Sequence, residues 1–343
     1  MDRREKLLAG LDLARQSGLE IGPLDHPLVR KAEGDIRYVD YADAGFLRDK
    51  YKDDANVAVA DIPEVDAIWG GNTIAEALGT EALGDKALGA TQAFDYAVAS
   101  HVVEHVPDLI AWLAELHAVL KPGATLRLAV PDRRFTFDFM RRESHVADAI
   151  TANVLRARAP LPSQLIDSCL NHHLVDRREM WAGGAARAPR YREAHRFEHA
   201  VACARATIAT GRYIDVHCWV FTPLSFLGLM EQLAALGLLR FECARCFDTE
   251  RDEDEFIVIL QTSADQERCV ESWRQAADAV HAEHAADLQA LAGTLQAAVQ
   301  AFAEGARQQS AEIAGLEERF GALERRAAPV AWLARRMLAR LRR

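Results

Sequence analysis

Two short apolar runs, residues 94–100 and 125–130, bracket a helical pattern at residues 107–120. In that pattern Leu109, Trp112, Leu113, Leu116 and Leu120 recur three and four residues apart and share one face. Strands this uniformly apolar have no wet face, and joining two of them through a helix makes them parallel. The unit predicts an α/β protein whose sheet is covered on both sides, with ligands outside the carboxyl ends of the strands.

The same logic extends toward the N-terminus. Residues 5–16 have apolar positions at helical spacing and predict an amphipathic helix. The stretch S-G-L-E-I-G-P-L-D (17–25) then places Leu19 and Ile21 around Glu20, with Gly22 and Pro23 able to turn sharply. A helix is expected at residues 28–32. A second strand, residues 36–39, ends in Asp40, twenty residues after Glu20, where a carboxylate can accept hydrogen bonds from a ribose diol. Residues 43–51 read as the next crossover helix.

The third strand has two candidates, residues 57–60 and 65–69. The second is favoured because W-G-G-N-T-I (69–74) follows it with a glycine turn and Asn72; Asp61 is the competing residue at that end of the sheet. Residues 75–90 predict a helix.

Beyond the core, residues 135–215 are helical and irregular, as expected of a lid that covers a site. Residues 215–220, D-V-H-C-W-V, return to the sheet, and Thr222 before Pro223 fits a helix cap. Strands at 240–247 and 255–261 flank a charged turn. From about Ala264 the pattern changes. Leu295, Val299, Phe302, Ala306, Gln309, Ile313, Leu316, Phe320 and Leu323 alternate four and three apart, the period of a coiled coil. Pro329 is expected to interrupt that helix.

Charge sharpens the division. Residues 325–343 hold seven arginines and no acid, so the net charge of −10 separates into +7 there and −17 over residues 1–324. An acidic body disfavours nucleic acid, and a basic amphipathic tail suits an anionic membrane face. No run is apolar enough to span a bilayer, and no secretory signal opens the chain, so a cytoplasmic location is expected, with the tail at the inner face of the membrane. Six cysteines in such a chain do not suggest a disulfide framework, and Cys243 and Cys246 lie in a strand pattern without further metal ligands nearby.

Three segments in order, S-G-L-E-I-G-P-L-D, F-D-Y-A-V-A-S-H-V-V-E-H (94–105) and L-K-P-G-A-T-L-R-L-A-V-P-D (120–132), resemble the class I S-adenosylmethionine-dependent methyltransferases, in particular those with a type 11-like domain. The resemblance covers residues 15–135. It implies a Rossmann-like, seven-stranded, mostly parallel sheet with an antiparallel end hairpin, spanning residues 1–263, with the helical insertion at 135–215. A coiled coil at 264–326 and the basic tail at 327–343 follow. It also implies S-adenosylmethionine as cofactor, bound by Glu20, Gly22, Pro23, Asp40, Asn72, Ser100 and His101. One departure stands out: Leu24 occupies the place of the family's second glycine.

Methyl transfer is an in-line displacement, so positioning can supply most of the rate and no enzyme nucleophile is needed. An oxygen acceptor would benefit from a general base, for which His101 and His217 are the candidates. His101, Glu104 and His105 also spell the H-x-x-E-H of a zinc peptidase, but that motif belongs on a helix, and here its first histidine ends a strand. No metal is therefore expected. The expected function is O-methylation of a sugar, glycan or small molecule by a protein that oligomerises through its coil. The alternative is a non-catalytic scaffold of surface-polysaccharide assembly with a degenerate cofactor pocket.

Overall fold

Seven strands, β1 (Ser17–Ile21), β2 (Asp35–Asp40), β3 (Ala67–Ile68), β4 (Phe94–Ser100), β5 (Leu120–Pro131), β6 (Phe241–Phe247) and β7 (Glu255–Thr262), form one sheet. This computed structural model describes residues 1–83, 92–184 and 194–341. The strand order is β3-β2-β1-β4-β5-β7-β6. β7 runs antiparallel to both of its neighbours, and the other pairings are parallel. The order reverses between β1 and β4, and a doubly wound sheet opens a crevice at such a point.

The two-residue period of the strands decides which side chains meet which layer. Leu19, Ile21, Ala97, Ala99, Leu126 and Leu128 face a layer that includes α3 (Ile74–Leu83), α4 (Leu109–Val119), α9 (Pro223–Ala235) and the start of α10 (Gln266–Leu341). On the other face Ile36, Tyr38, Tyr96, Val98 and Ala129 pack with Leu7, Leu28 and Val29. Buried Arg127 donates to the carbonyls of Leu7 and Ala9 at 2.8 and 2.9 Å, tying α1 (Arg3–Leu8) to the back of the sheet. Trp273 of α10 is fully buried and donates its indole N–H to the Phe241 carbonyl at 2.8 Å.

Side-chain caps explain several helix starts. Asp43 accepts from Phe46 N before α2 (Ala44–Tyr51), Asp108 accepts from Ala111 N before α4, and Thr222 accepts from Ser225 N before α9, whose first residue is Pro223. Four further helices, α5 (Val146–Val154), α6 (Pro162–Asn171), α7 (Arg177–Trp181) and α8 (Ala194–Thr210), make up the insertion.

Several expectations are corrected. Residues 28–32 form turns, not a helix: the segment is held instead by Glu20, whose carboxylate accepts from Leu28 N and Val29 N at 2.7 and 3.1 Å. The first helix stops at Leu8, because Gly10 has φ +76 and the chain turns. α3 ends at Leu83, and the remainder of the expected helix falls outside the described residues. Residues 215–220 do return to the sheet, as an irregular segment leading to Phe221, which bridges Asp132 just after β5. α10 continues through Pro329 to Leu341.

Contacts divide the chain into Met1–His281 and Ala282–Arg343. The division falls later than residue 263 because Cys269, Trp273 and Val280 of α10 are buried in the core of the first unit. The second unit is helical, with Leu295, Val299, Phe302, Ile313, Leu316 and Leu323 exposed. No described helix is long and apolar enough to cross a membrane.

Candidate active site

A cavity of about 800 Å³ lies outside the carboxyl ends of β1, β2, β3 and β4. Each of these strands contributes its last residue or the loop that follows. β1 gives Ile21, Gly22 and Leu24; β2 gives Asp40 and Tyr41; the turn after β3 gives Trp69, Gly70 and Asn72; and His101 and Val102 follow β4. The insertion adds Asn153, Arg156, Arg158, Tyr213 and Asp215.

The β1 turn is tight by construction. Gly22 has φ +63, and a Cβ there would sit 2.9 Å from the Val102 side chain, so only glycine fits. Leu24 has φ +44, the left-handed conformation that a glycine adopts without cost. The loop therefore keeps a glycine backbone at the position where the family's glycine is missing. Asp40 is 5% exposed and accepts from its neighbour Tyr41 N at 2.7 Å. Burial pushes its carboxyl up to about 6, against that hydrogen bond and the nearby Lys50 charge.

The expected cofactor residues separate into two groups. Gly22, Asp40, Asn72 and His101 line the cavity, whereas Glu20, Pro23 and Ser100 do not. Glu20 faces the opposite side of β1, between Leu28 N and Val29 N, where burial raises its carboxyl to about 7. Ser100 accepts from Arg3 at 2.5 Å. Asp61 lies in the exposed 3-10 turn Val59–Asp61, away from the cavity.

A second cavity of about 460 Å³ lies beside the first and is lined by Glu104, Pro131, Phe135, Phe137, Arg177, His217 and Asp254, among others. His101 and His105 line both. Here side chains from distant parts of the sequence converge. His101 Nε2 meets Glu255 at 2.7 Å, and Arg3 holds the same carboxylate through Nε and Nη2 at 2.6 and 3.0 Å. His105 Nδ1 meets Asp215 at 2.9 Å, whose other oxygen accepts from Lys50 at 2.9 Å. His217 Nδ1 meets Asp138 at 2.5 Å, and Arg141 donates to the same aspartate at 2.9 Å.

These pairings move the carboxylates below their usual range. Glu255 falls to about 2 because the bonds and charges of His101 and Arg3 outweigh its burial. The His105 hydrogen bond lowers Asp215 further, with Lys50 adding to it. His101 itself is raised: desolvation is overcome by the hydrogen bond to Glu255 and the charges of Glu104 and Glu255. Its backbone is left-handed, φ +53, a strained conformation for a non-glycine residue of the kind found at functional sites.

Lys50, Asp138, Asp215 and Glu255 were not singled out in the sequence. Their only signal is spatial, because each is the partner of a cavity histidine or of that histidine's carboxylate.

An open sheet of this order, with a glycine turn and a strand-end acid over one cavity, defines the class of Rossmann-like methyltransferases. Residues 2–233 match the family described as a methyltransferase domain, and the chain belongs to that family. Among solved structures it is similar to a SAM-dependent methyltransferase from Aquifex aeolicus (11% identity, 76% of this chain and 89% of that one, TM-score 0.35). A putative S-adenosylmethionine-dependent methyltransferase from Listeria monocytogenes is similar at 12% identity, covering 76% and 96%, TM-score 0.37. A third, from Methanosarcina mazei, has 15% identity, 74% and 95% coverage and a TM-score of 0.34. No curated protein matches the chain.

S-adenosylmethionine is the cofactor that this membership implies. The residues present fit it: a glycine that alone admits close backbone approach, a buried carboxylate at the end of β2, and a cavity of sufficient volume with Trp69 and Asn72 at its side.

Proposed function

We propose that the protein transfers a methyl group from S-adenosylmethionine to an oxygen of a polar acceptor, a sugar or glycan hydroxyl being the preferred class. The observation that carries this reading is that His101 and His105 line both cavities, so a donor in the larger and an acceptor in the smaller would meet at these side chains. Asp40 would accept from the ribose hydroxyls, Gly22 would admit the methionyl end, and Asn72 with Trp69 would flank the adenine. Bound there, the cofactor supplies a methyl group on a positively charged sulfur.

The chain's own residues do the rest. Glu255, accepting from His101 Nε2–H, would leave Nδ1 as the base that receives the acceptor's proton. Arg3 holds Glu255 in place from the N-terminal helix. The aromatic residues Phe135 and Phe137, with Arg177, present stacking surfaces and a cation to a polar acceptor. Methyl transfer onto a panel of sugar and small-molecule hydroxyls, followed with a labelled methyl group, tests the reading. Labelling that disappears in His101→Gln supports it, and labelling only of nitrogen or carbon acceptors contradicts it.

The exposed apolar positions of α10 favour self-association through a coiled coil. The arginines of residues 327–343 favour a peripheral contact with an anionic membrane. Deleting residues 282–343 is expected to convert an oligomer to a monomer in light scattering and to remove vesicle binding. An unchanged mass would discard the coil.

A further inference from the structure

The Glu104 side chain is 1% exposed, and neither of its carboxylate oxygens has a hydrogen-bond partner among the described residues. A buried carboxylate in that condition is costly unless a cation or proton accompanies it. What surrounds it is ordered. His105 Nε2 is 3.9 Å and His217 Nε2 is 4.0 Å from the same Glu104 oxygen, too far for hydrogen bonds and spaced to leave room for an ion between them. One ligand atom from each of the three residues lies within 4.8 Å of the other two.

Two features distinguish this from an accidental cluster. Each histidine pairs its Nδ1 with a carboxylate, Asp215 or Asp138, and directs its Nε2 toward Glu104, where a neutral ring donating from Nδ1 would present a lone pair. That carboxylate–histidine arrangement is how protein metal ligands are oriented. Moreover, both supporting carboxylates already have a cation, Lys50 on Asp215 and Arg141 on Asp138. Among the described residues Glu104, at the centre, pairs with no lysine or arginine: what faces its Oε1 is His101 Nδ1 at 3.6 Å and the Nε2 atoms of His105 and His217, none within hydrogen-bond distance.

We propose that Glu104, His105 and His217 bind a divalent transition metal ion, with an open coordination position toward the smaller cavity for an oxygen ligand. Two histidines and one carboxylate leave a fourth position for water or substrate, and zinc or ferrous iron suits that donor set. The ligands are assembled from the 3-10 turn Val103–His105 and from residue 217, more than a hundred residues later, so H-x-x-E-H held two of them but could not point to the third. The site itself stands without the methyltransferase reading. The further role, holding an acceptor hydroxyl and favouring loss of its proton, rests on that reading.

A separate group, Cys169, His199 and Cys203, could also take up zinc, so the test is made on the full chain carrying Cys203→Ser. After chelator treatment and dialysis the protein is titrated with zinc chloride in competition with a chromophoric chelator. Binding of one ion per chain is expected, lost at least tenfold in Glu104→Gln and in His217→Gln. Asp138→Asn, which touches no metal, is expected to weaken zinc about 10- to 100-fold. Circular dichroism checks the fold of each variant, and S-adenosylmethionine titration of the same samples reports the methyltransferase reading independently. Failure of the folded Cys203→Ser protein to bind zinc, or binding unchanged by Glu104→Gln, overturns the proposal.

Discussion

The two sides of the site are built differently. On the cofactor side, the residues follow their strands within a few positions: Gly22 and Leu24 after β1, Asp40 at the end of β2, Trp69 and Asn72 after β3. On the side proposed for the acceptor, Glu104, Asp138, His217 and Glu255 come together from the turn after β4, the insertion, the segment that follows it and the start of β7. The first side depends on local backbone, and the second on which side chains the folded chain juxtaposes. Mutations should therefore separate them, with binding of the donor governed by one side and transfer by the other.

The largest expected effect is on the acceptor side. His101→Gln should lower methyl transfer by about 10²- to 10⁴-fold, the range for loss of a general base, with a much smaller loss of donor affinity, since His101 also lines the larger cavity. A comparable loss of donor affinity would erase the distinction between the sides.

Next comes the cofactor side. Asp40→Ala removes hydrogen bonds to an ionised acceptor worth about 1.5–3 kcal/mol each, so S-adenosylmethionine affinity should fall on the order of 10²-fold. Since burial raises Asp40 to about 6, the wild-type affinity should hold above that pH and weaken as pH falls through it. Calorimetric titration at pH 5 and pH 8 distinguishes this from a flat profile.

Glu20 belongs to neither side, and its effect falls on stability. Its folded value of about 7 lies above the 4.5 of an exposed glutamate. The native state thus holds the proton more tightly: the favourable contribution is full below about pH 4.5 and is lost as pH rises through about 7, up to about 3 kcal/mol at 1.36 kcal/mol per unit. Glu20→Gln should gain stability relative to the wild type between pH 5 and pH 8 in urea titrations. A constant difference across that range would contradict the burial argument.

The smallest effects compare two left-handed positions in one loop. Gly22→Ala, strained in φ and against Val102, should cost about 1–3 kcal/mol. Leu24→Gly should change stability by less than about 1 kcal/mol, because relief of strain is offset by the entropy of the unfolded glycine. Equal losses at both would mean that the loop does not need its present shape.

The same contrast explains what the sequence disclosed. Strands and most helices were legible because burial on both faces of a parallel sheet writes itself into local patterns, as at residues 94–100 and 107–120. Asp40 and Asn72 were legible because the end of a strand fixes them. Residues 28–32 were not, since Glu20 satisfies the backbone of a turn there and a helical reading cannot register a partner eight residues back. The carboxylates behind the three histidines were illegible for a stronger reason: nothing in the neighbourhood of Asp138 or Glu255 along the chain distinguishes it from any surface acid.

The most direct test of the account is calorimetric titration of the full-length protein and of Asp40→Ala and His101→Gln with S-adenosylmethionine. One site per chain is expected, weakened on the order of 10²-fold in Asp40→Ala and retained in His101→Gln. A folded wild-type protein that binds no S-adenosylmethionine, or binding indifferent to Asp40, would contradict it.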